Sequence, residues 1–480
     1  MSTIAPEKYK ENASKNIADP VLQKALSGLQ ERLGPATENL YNSLPEGHKM
    51  RTEAHQFRRK AIDNLDVLLS TLVDKVRGHG GIVHFAKTAE EAVEICKKIA
   101  LDNDVKTVVK GKSMVTEEVG LNLALEKEGI EVYETDLGEY ILQLSGEAPT
   151  HIVAPAIHKT RREVAELFTE KLGTPYTEDP PILTRYARKA LREKFLKADM
   201  GISGCNLACA ETGHIVTVSN EGNIRMSTTL PKIHVAFMGM ERIVANLEEQ
   251  QSILRLMSMG AAAQEIGGYV SYVGGPAEVD HSDGPQEFHL IIIDNGRSKI
   301  LADPEFREML CCIRCGACLN VCPVYGKIGG QAYGSPYCGP VGAVVTPLLF
   351  GINNSADLCA GETLCGACKQ ACPLEINLPR MLLALRSKLS EGDPDWDVQP
   401  KSKGENLIFA SWQRFNSNRK VYDLLLGLMR VLQHLLPAKQ GMISRLPWPL
   451  SGWTANRNMK KLAPKTFMQQ WREKKEKKGS

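Results

Sequence analysis

Apolar residues recur at helical spacing through the first part of the chain. Val21, Leu22, Ala25, Leu26, Leu29 and Leu33 share one face and predict a helix ending near Gly34-Pro35. Leu65, Leu68, Leu69, Leu72 and Val73 give a second helix over residues 52–76, where Arg51, Arg58, Arg59 and Lys60 read as a solvated basic face. From about residue 80 the pattern changes to short apolar runs, at 81–85, 105–109 and 130–133, alternating with amphipathic stretches. Thr88-Ala-Glu-Glu91 is a capping-box signature that opens one of those helices. Further strands are expected at 151–154, 215–219, 233–238 and 289–293. Alternation of this kind implies βαβ units and a largely parallel sheet covered by helices. A helical N-terminal segment, 1–76, is thus followed by one α/β domain over 77–300.

The remainder reads differently. Residues 324–358 are rich in glycine and proline, and Leu378, Met381, Leu382, Leu385 and Leu389 give the next helix an apolar face. An insertion of that length does not suit a compact pseudo-symmetric ferredoxin, so an α-helical ferredoxin-type domain is expected over 301–390. Residues 391–480 form a helical, Trp-rich basic tail with Trp396, Trp412, Trp448, Trp453 and Trp471. An apolar helix is expected at 422–436 and disorder over the final ten residues. Aromatic side chains beside basic ones can anchor a partner or give peripheral membrane contact, or the tail can dock on the main body.

At 480 residues the chain can build several domains and a sizeable core. Its 59 Lys+Arg against 56 Asp+Glu leave a net charge of only +3, so no nucleic-acid partner is expected. With 6% aromatic residues and no basic stretch interleaved with rings, a single-strand binder is also disfavoured. The first residues show no signal-peptide pattern, and the longest apolar run of the tail, 424–429, stops at Arg430. A soluble, cytoplasmic protein with reduced thiols is the expectation.

Ten of the thirteen cysteines lie between residues 311 and 373. Cys312, Cys315, Cys318 and Cys322-Pro323 form a complete C-x2-C-x2-C-x3-C-P, the spacing that wraps three thiolates around one iron–sulfur cube and sends the fourth to a second cube. Cys365, Cys368 and Cys372-Pro373 repeat it from its second cysteine onward. Zinc needs only four ligands and has no use for the x3-C-P extension, and disulfides do not suit a reducing compartment. The crossed pattern assigns Cys312, Cys315, Cys318 and Cys372 to one [4Fe-4S] cluster, and Cys322, Cys365 and Cys368 to the other. The second set is one thiolate short, because Glu362 stands three residues before Cys365. Cys359, Glu362 or Cys338 can fill the gap; if none does, the site holds an open iron or becomes [3Fe-4S] when oxidised. Cys311 is read as packing.

The α/β region carries weaker signals. Gly111-Lys112-Ser113 lacks the earlier glycine of a phosphate loop, and no G-x-G-x-x-G fingerprint supports a dinucleotide. Cys205 and Cys209 read as buried small hydrophobes. His158-Lys-Thr-Arg-Arg162 is an anion-binding turn or a helix surface. Glu211 and Glu221 flank one predicted strand beside turn residues, where a carboxylate is a nucleophile or caps a turn; capping is the expectation for both.

Lys110-Gly-Lys-Ser-Met114, Glu134-Thr-Asp-Leu-Gly-Glu139, Ala210-Glu-Thr-Gly213, Asn220-Glu-Gly-Asn223 and Asp294-Asn-Gly-Arg297 together resemble the LUD domain of lactate utilization proteins. Ile328-Gly-Gly, Tyr337-Cys-Gly-Pro340 and both cysteine motifs follow in the order of the lactate utilization protein B family, so the resemblance covers residues 20–470. It implies a LUD domain of isomerase/CoA-transferase-like fold, and a cytoplasmic iron–sulfur protein that oxidises L-lactate to pyruvate together with lactate utilization proteins A and C. It also raises Glu221, by analogy with the CoA-transferase glutamate, as a candidate nucleophile. The expected role is an electron-transfer component rather than the catalytic subunit, taking electrons from a donor protein and passing them to an acceptor protein or a quinone. The rivals are a LUD-domain enzyme of acyl or sugar-phosphate type with structural or sensing clusters, and a membrane-docking adaptor for a dehydrogenase.

Overall fold

Strands between residues 82 and 293 build two sheets. They are β1 (Ile82–Ala86), β2 (Thr107–Lys110), β3 (Glu131–Glu134), β4 (Met200–Gly204), β5 (Leu207–Cys209), β6 (Ile215–Ser219), β7 (Ile233–Gly239), β8 (Ile243–Val244), β9 (Tyr269–Val273) and β10 (Glu287–Ile293). The structure, a computed structural model, describes residues 4–278, 283–400, 403–448 and 450–476. The larger sheet has the order β1-β10-β7-β4-β2-β3 and is parallel throughout. Its central strands are buried on both faces, which is why β7 and β10 read as nearly continuous apolar runs rather than alternating ones. The smaller sheet, β8-β5-β6-β9, is mixed, with β6 antiparallel to both of its neighbours. The expected single sheet is therefore two, and 215–219 belongs to the second.

Residues 151–154, expected as a strand, form a loop. The His151 Nδ1 accepts the N–H groups of Val153 and Ala154, and its Nε2 meets Asn320 Oδ1 at 3.2 Å. The segment is apolar because Ile152 joins the core around the cysteine loops, not because it enters a sheet.

Four helices precede β1: Tyr9–Ile17, Pro20–Ser43, Gly47–Asp63 and Leu65–Gly78. The second starts at Asp19, whose carboxylate accepts the Val21 and Leu22 N–H groups, and it continues through Gly34-Pro35 instead of stopping there. A Cβ at Gly34 would lie 3.2 Å from the Asn320 carbonyl oxygen, so this glycine serves close approach to the cysteine loop rather than helix termination. The predicted helix at 52–76 is two, broken at Asn64.

The N-terminal helices brace the cysteine region. Asn16 donates to the Ile328 carbonyl, Gln30 to those of Leu319 and Cys322, and His55 Nδ1 meets that of Leu374. Beneath those loops the helix Gly339–Phe350 is apolar on every side and buried along most of its length. The helix Leu378–Glu391 adds Met381, Leu382 and Leu385 to the same core.

Residues 401–480 form a second compact unit. It contains the helices Lys403–Ser417, Arg419–Leu432 and Phe467–Glu476 and an antiparallel ribbon of β11 (Ala438–Lys439), β12 (Met442–Ile443) and β13 (Met459–Lys460). The helix expected at 422–436 begins and ends a few residues earlier. Helix also continues to Glu476, where disorder was expected; residues 477–480 lie outside the described ones. Among the described residues, no helix is long and apolar enough to cross a membrane.

Candidate metal centre

The two cysteine motifs fold alike. A short 3-10 turn, Arg307–Cys311, ends at Cys312 in an extended conformation, and the helix Ala356–Gly361 ends at Glu362 in another. Arg314 (φ 57°) and Gly316 (φ 82°) then bracket Cys315, as Leu364 (φ 57°) and Gly366 (φ 86°) bracket Cys365. Left-handed backbone costs a non-glycine residue roughly 1–2 kcal/mol, so Arg314 and Leu364 are held there by their surroundings. Cys322 and Cys372 close the motifs, both extended, each ahead of a proline that cannot continue the turn. This winding aims main-chain N–H groups at sulfur: that of Arg314 lies 3.4 Å from Cys312 Sγ, and that of Tyr325 lies 3.4 Å from Cys322 Sγ.

Two donor sets result. Burial, followed by the neighbouring thiols Cys312, Cys315, Cys368 and Cys372, raises the Cys318 thiol well above its ordinary range. Cys372 is raised by burial and then by Cys315 and Cys312, so it faces the first motif despite belonging to the second. Cys322 is raised by burial and then by Glu362 and Cys368; Cys368, pushed up to about 11, feels burial, Glu362 and Cys365. Cys365 is exposed and lies at the rim of its set. Cys359 and Cys338 are buried apart from both sets. The charged neighbour of the Cys359 thiol is Arg386, and that of Cys338 is Lys112. Cys311 is 1% exposed and lies in the core.

The residues fit anionic iron–sulfur clusters. Arg51, 6% exposed, donates to the Gln370 and Cys372 carbonyls. Arg58, fully buried, donates to the carbonyls of Cys311, Ile243, Glu241 and Leu310. Burial pulls the Arg242 guanidinium down, while Glu241 and Cys312 draw it up. Arg314 keeps Nε and Nη1 buried without a hydrogen-bond partner among the described residues. Buried cations need an anion nearby, and a thiolate-bound cluster supplies one. Among the described residues no three His, Cys, Asp or Glu side chains converge on one ion; a cube spreads its ligands over four separate irons.

The LUD motifs divide between framework and cavity. Lys110 is buried 2.9 Å from Glu134, and Arg297 bridges Glu118 and Glu241 at 2.8 Å each. Glu211 caps a helix, accepting the Leu247 N–H. Glu221 accepts the Leu137 N–H, and burial of its carboxyl end, then Asp136, raises it. Lys112, Ser113, Asn206, Glu221, Arg242 and Cys205 line a cavity of about 300 Å³ that reaches Arg314 and Cys315 of the first donor set. Cys209 is fully buried, as expected; Cys205 instead reaches the cavity wall.

Residues 69–293 match the family profile of the LUD domain, 308–376 that of a 4Fe-4S dicluster domain, and 397–476 that of the lactate utilisation protein B C-terminal region. The chain is 42% identical over 479 residues to Lactate utilization protein B of Shouchella clausii, covering 99% of both chains. It is also 42% identical to Lactate utilization protein B of Bacillus subtilis, covering 95% of this chain and 94% of that one. The chain belongs to the lactate utilization protein B family. A further relative, the Uncharacterized electron transport protein YkgF of Escherichia coli, is 46% identical over 80% of each chain. A solved DUF162 family protein from Deinococcus radiodurans is 16% identical, covers 48% of this chain and 98% of its own, and has a TM-score of 0.28.

The match of residues 308–376 to a 4Fe-4S dicluster domain supports iron–sulfur clusters as the cofactor of that region. Arg51 and Arg58, read from sequence as a solvated face, are the correction with most consequence. Their i,i+7 spacing puts them on the same helical stripe as Ala54, Ala61 and Ile62, which are buried too, while Arg59 and Lys60 are exposed. That stripe was the available signal. Nothing local marked Arg242 or Arg314.

Proposed function

We propose that this chain is the iron–sulfur electron-transfer subunit of a cytoplasmic system that oxidises L-lactate to pyruvate, working with lactate utilization proteins A and C. The observation that carries the reading is the crossing of the two motifs, with Cys372 beside Cys312, Cys315 and Cys318, and Cys322 beside Cys368, which in turn neighbours Cys365. When bound, two [4Fe-4S] clusters in a ferredoxin-like helical domain supply one-electron uptake and release. The cysteines hold them, the main-chain N–H groups facing Cys312 and Cys322 steady thiolate charge, and the N-terminal helices fix the loops. Exposed Cys365 brings the second set to the surface, where a donor or acceptor protein or a quinone can approach. The names of the relatives support lactate as the ultimate donor. The tail helix Arg419–Leu432 has no buried residue and exposes Leu424, Leu428 and Val431, which supports contact with a partner or a membrane surface. The test is to add L-lactate to the anaerobic holoprotein and follow bleaching of its visible absorption. Bleaching is expected only with proteins A and C present; none with both present would overturn the reading.

The cavity favours a second reading, in which the isomerase/CoA-transferase-like LUD domain performs acyl or sugar-phosphate chemistry with Glu221 as nucleophile. Glu221→Gln separates the two. A nucleophile makes the variant inactive with its clusters intact. The turn contact to Leu137 predicts retained lactate-dependent electron flow and a modest stability loss, and that is the expected result.

A further inference from the structure

The second donor set lacks a fourth thiolate, and the backbone repeat identifies the residue in its place. Cys312 precedes Cys315 by three residues, leaves its preceding turn extended (φ −63°, ψ 127°), and is followed by a left-handed residue two positions on. Glu362 precedes Cys365 by three, leaves its helix extended (φ −87°, ψ 145°), and is followed by left-handed Leu364 at the same offset. We propose that Glu362 is the eighth protein ligand, binding the fourth iron of the second cluster through a carboxylate oxygen.

Its surroundings agree. Glu362 Oε2 lies 3.7 Å from Cys322 Sγ, inside the second set, and the side chain is nine-tenths buried at 8% exposure. A buried carboxylate is expensive unless a cation or strong donors meet it. Tyr333, itself fully buried, donates its hydroxyl to Oε1 at 3.0 Å. Among the described residues no Lys, Arg or His forms an ion pair with this carboxylate, and Arg386 spends its hydrogen bonds on the carbonyls of Cys359, Ala360 and Glu362. An iron at Oε2 supplies the missing cation, and Tyr333 orients the carboxylate from its other oxygen.

The two sulfur alternatives face elsewhere. Cys359 is fully buried in the helix Ala356–Gly361, among Leu358 and the core. The Cys338 Sγ lies 4.0 Å from the Thr150 carbonyl oxygen, and the charged group that acts on its thiol is Lys112 rather than a member of either set. Both are thiols of the apolar core. Oxygen holds iron less firmly than thiolate, so when dioxygen takes one electron from the [4Fe-4S]2+ cluster this iron leaves as Fe2+ and [3Fe-4S]+ remains.

The inference rests on Cys322, Cys365 and Cys368 sharing one cluster. It is tested by Mössbauer and electron paramagnetic resonance spectroscopy on the anaerobically purified, 57Fe-loaded full chain. Wild type is expected to hold about eight irons, one of them with the larger isomer shift of an oxygen-ligated site. Glu362→Cys should keep the iron count and lose that distinct site. Glu362→Ala should lose about one iron and show a three-iron signal, while Cys359→Ala and Cys338→Ala match wild type. An unchanged spectrum and iron count in Glu362→Ala, a Glu362→Cys chain that keeps its first cluster but not its second, or iron loss in Cys359→Ala would each overturn the proposal. A wild type with only about four irons would instead sink the two-cluster reading beneath it.

Discussion

Around Cys312, Cys315, Cys318 and Cys372 several arginines come inward; beside Cys322 and Cys368 the charged side chain is the carboxylate of Glu362. The backbones of the two motifs are near copies, so the difference lies in what packs on them. On the first side the guanidiniums of Arg58, Arg242, Arg297 and Arg314 outnumber the carboxylates of Glu118 and Glu241. Tyr337 completes that frame by donating its hydroxyl to Glu118. On the second side Arg386 reaches only backbone carbonyls, and Cys365 is open to solvent. Reduction adds negative charge to a cluster, so excess positive charge nearby raises its potential and a carboxylate lowers it. One sequence motif used twice thus yields two electronically unequal sites.

The largest test of that contrast removes a ligand. Cys315→Ser is expected to cost the chain about half of its iron. Iron analysis and visible absorption should show the second cluster surviving, because Cys322, Cys365 and Cys368 are left in place. Equal loss of both clusters would mean that the two sets do not assemble independently.

Next comes the arginine brace. Arg58 satisfies four carbonyls from the cysteine, β7–β8 and β8 segments, and hydrogen bonds to a charged group contribute about 1.5–3 kcal/mol each, not additively. Arg58→Met should lower unfolding free energy by at least about 3 kcal/mol in chemical denaturation. Arg59→Met, on the exposed side of the same helix, should change it by less than about 0.5 kcal/mol.

Acid should act through the first frame. Burial alone would raise Glu241, but Arg297, Arg242 and Arg314 outweigh it and bring it down to about 2. Its folded value lies below the ordinary carboxylate value of about 4.3. Its stabilisation is therefore complete above about pH 4.5 and is lost as pH falls through 2. Circular dichroism across that window should show about 3 kcal/mol of acid destabilisation attributable to this group, absent in Glu241→Gln.

The smallest effect is electronic. Arg314→Leu removes one positive charge beside Cys312 and should lower the first cluster's potential by on the order of tens of millivolts. The second should stay where it is in the same redox titration.

How much of this was legible in the sequence follows from how local each feature is. The cysteine spacing is read directly because ligand geometry is imposed over a few residues, and the alternation around β1, β2 and β3 is likewise local. Strand β4 was missed because Met200-Gly-Ile-Ser-Gly204 carries two glycines. A Cβ on Gly201 would sit 1.7 Å from the Ser227 carbonyl oxygen, so close packing and not propensity selects that residue. The second sheet was missed because strand partners are chosen by distant segments. Charge was the least legible: Arg58 and Arg59 are neighbours in sequence, and only the helix phase relative to the cysteine loops buries one and leaves the other in water.

A redox titration of the anaerobic full-length holoprotein, followed by electron paramagnetic resonance, addresses the inequality of the two sites most directly. Two one-electron steps are expected, with the higher-potential signal lost in Cys315→Ser and retained in Cys365→Ser. A single step, or a higher-potential signal that disappears in Cys365→Ser and persists in Cys315→Ser, would contradict it.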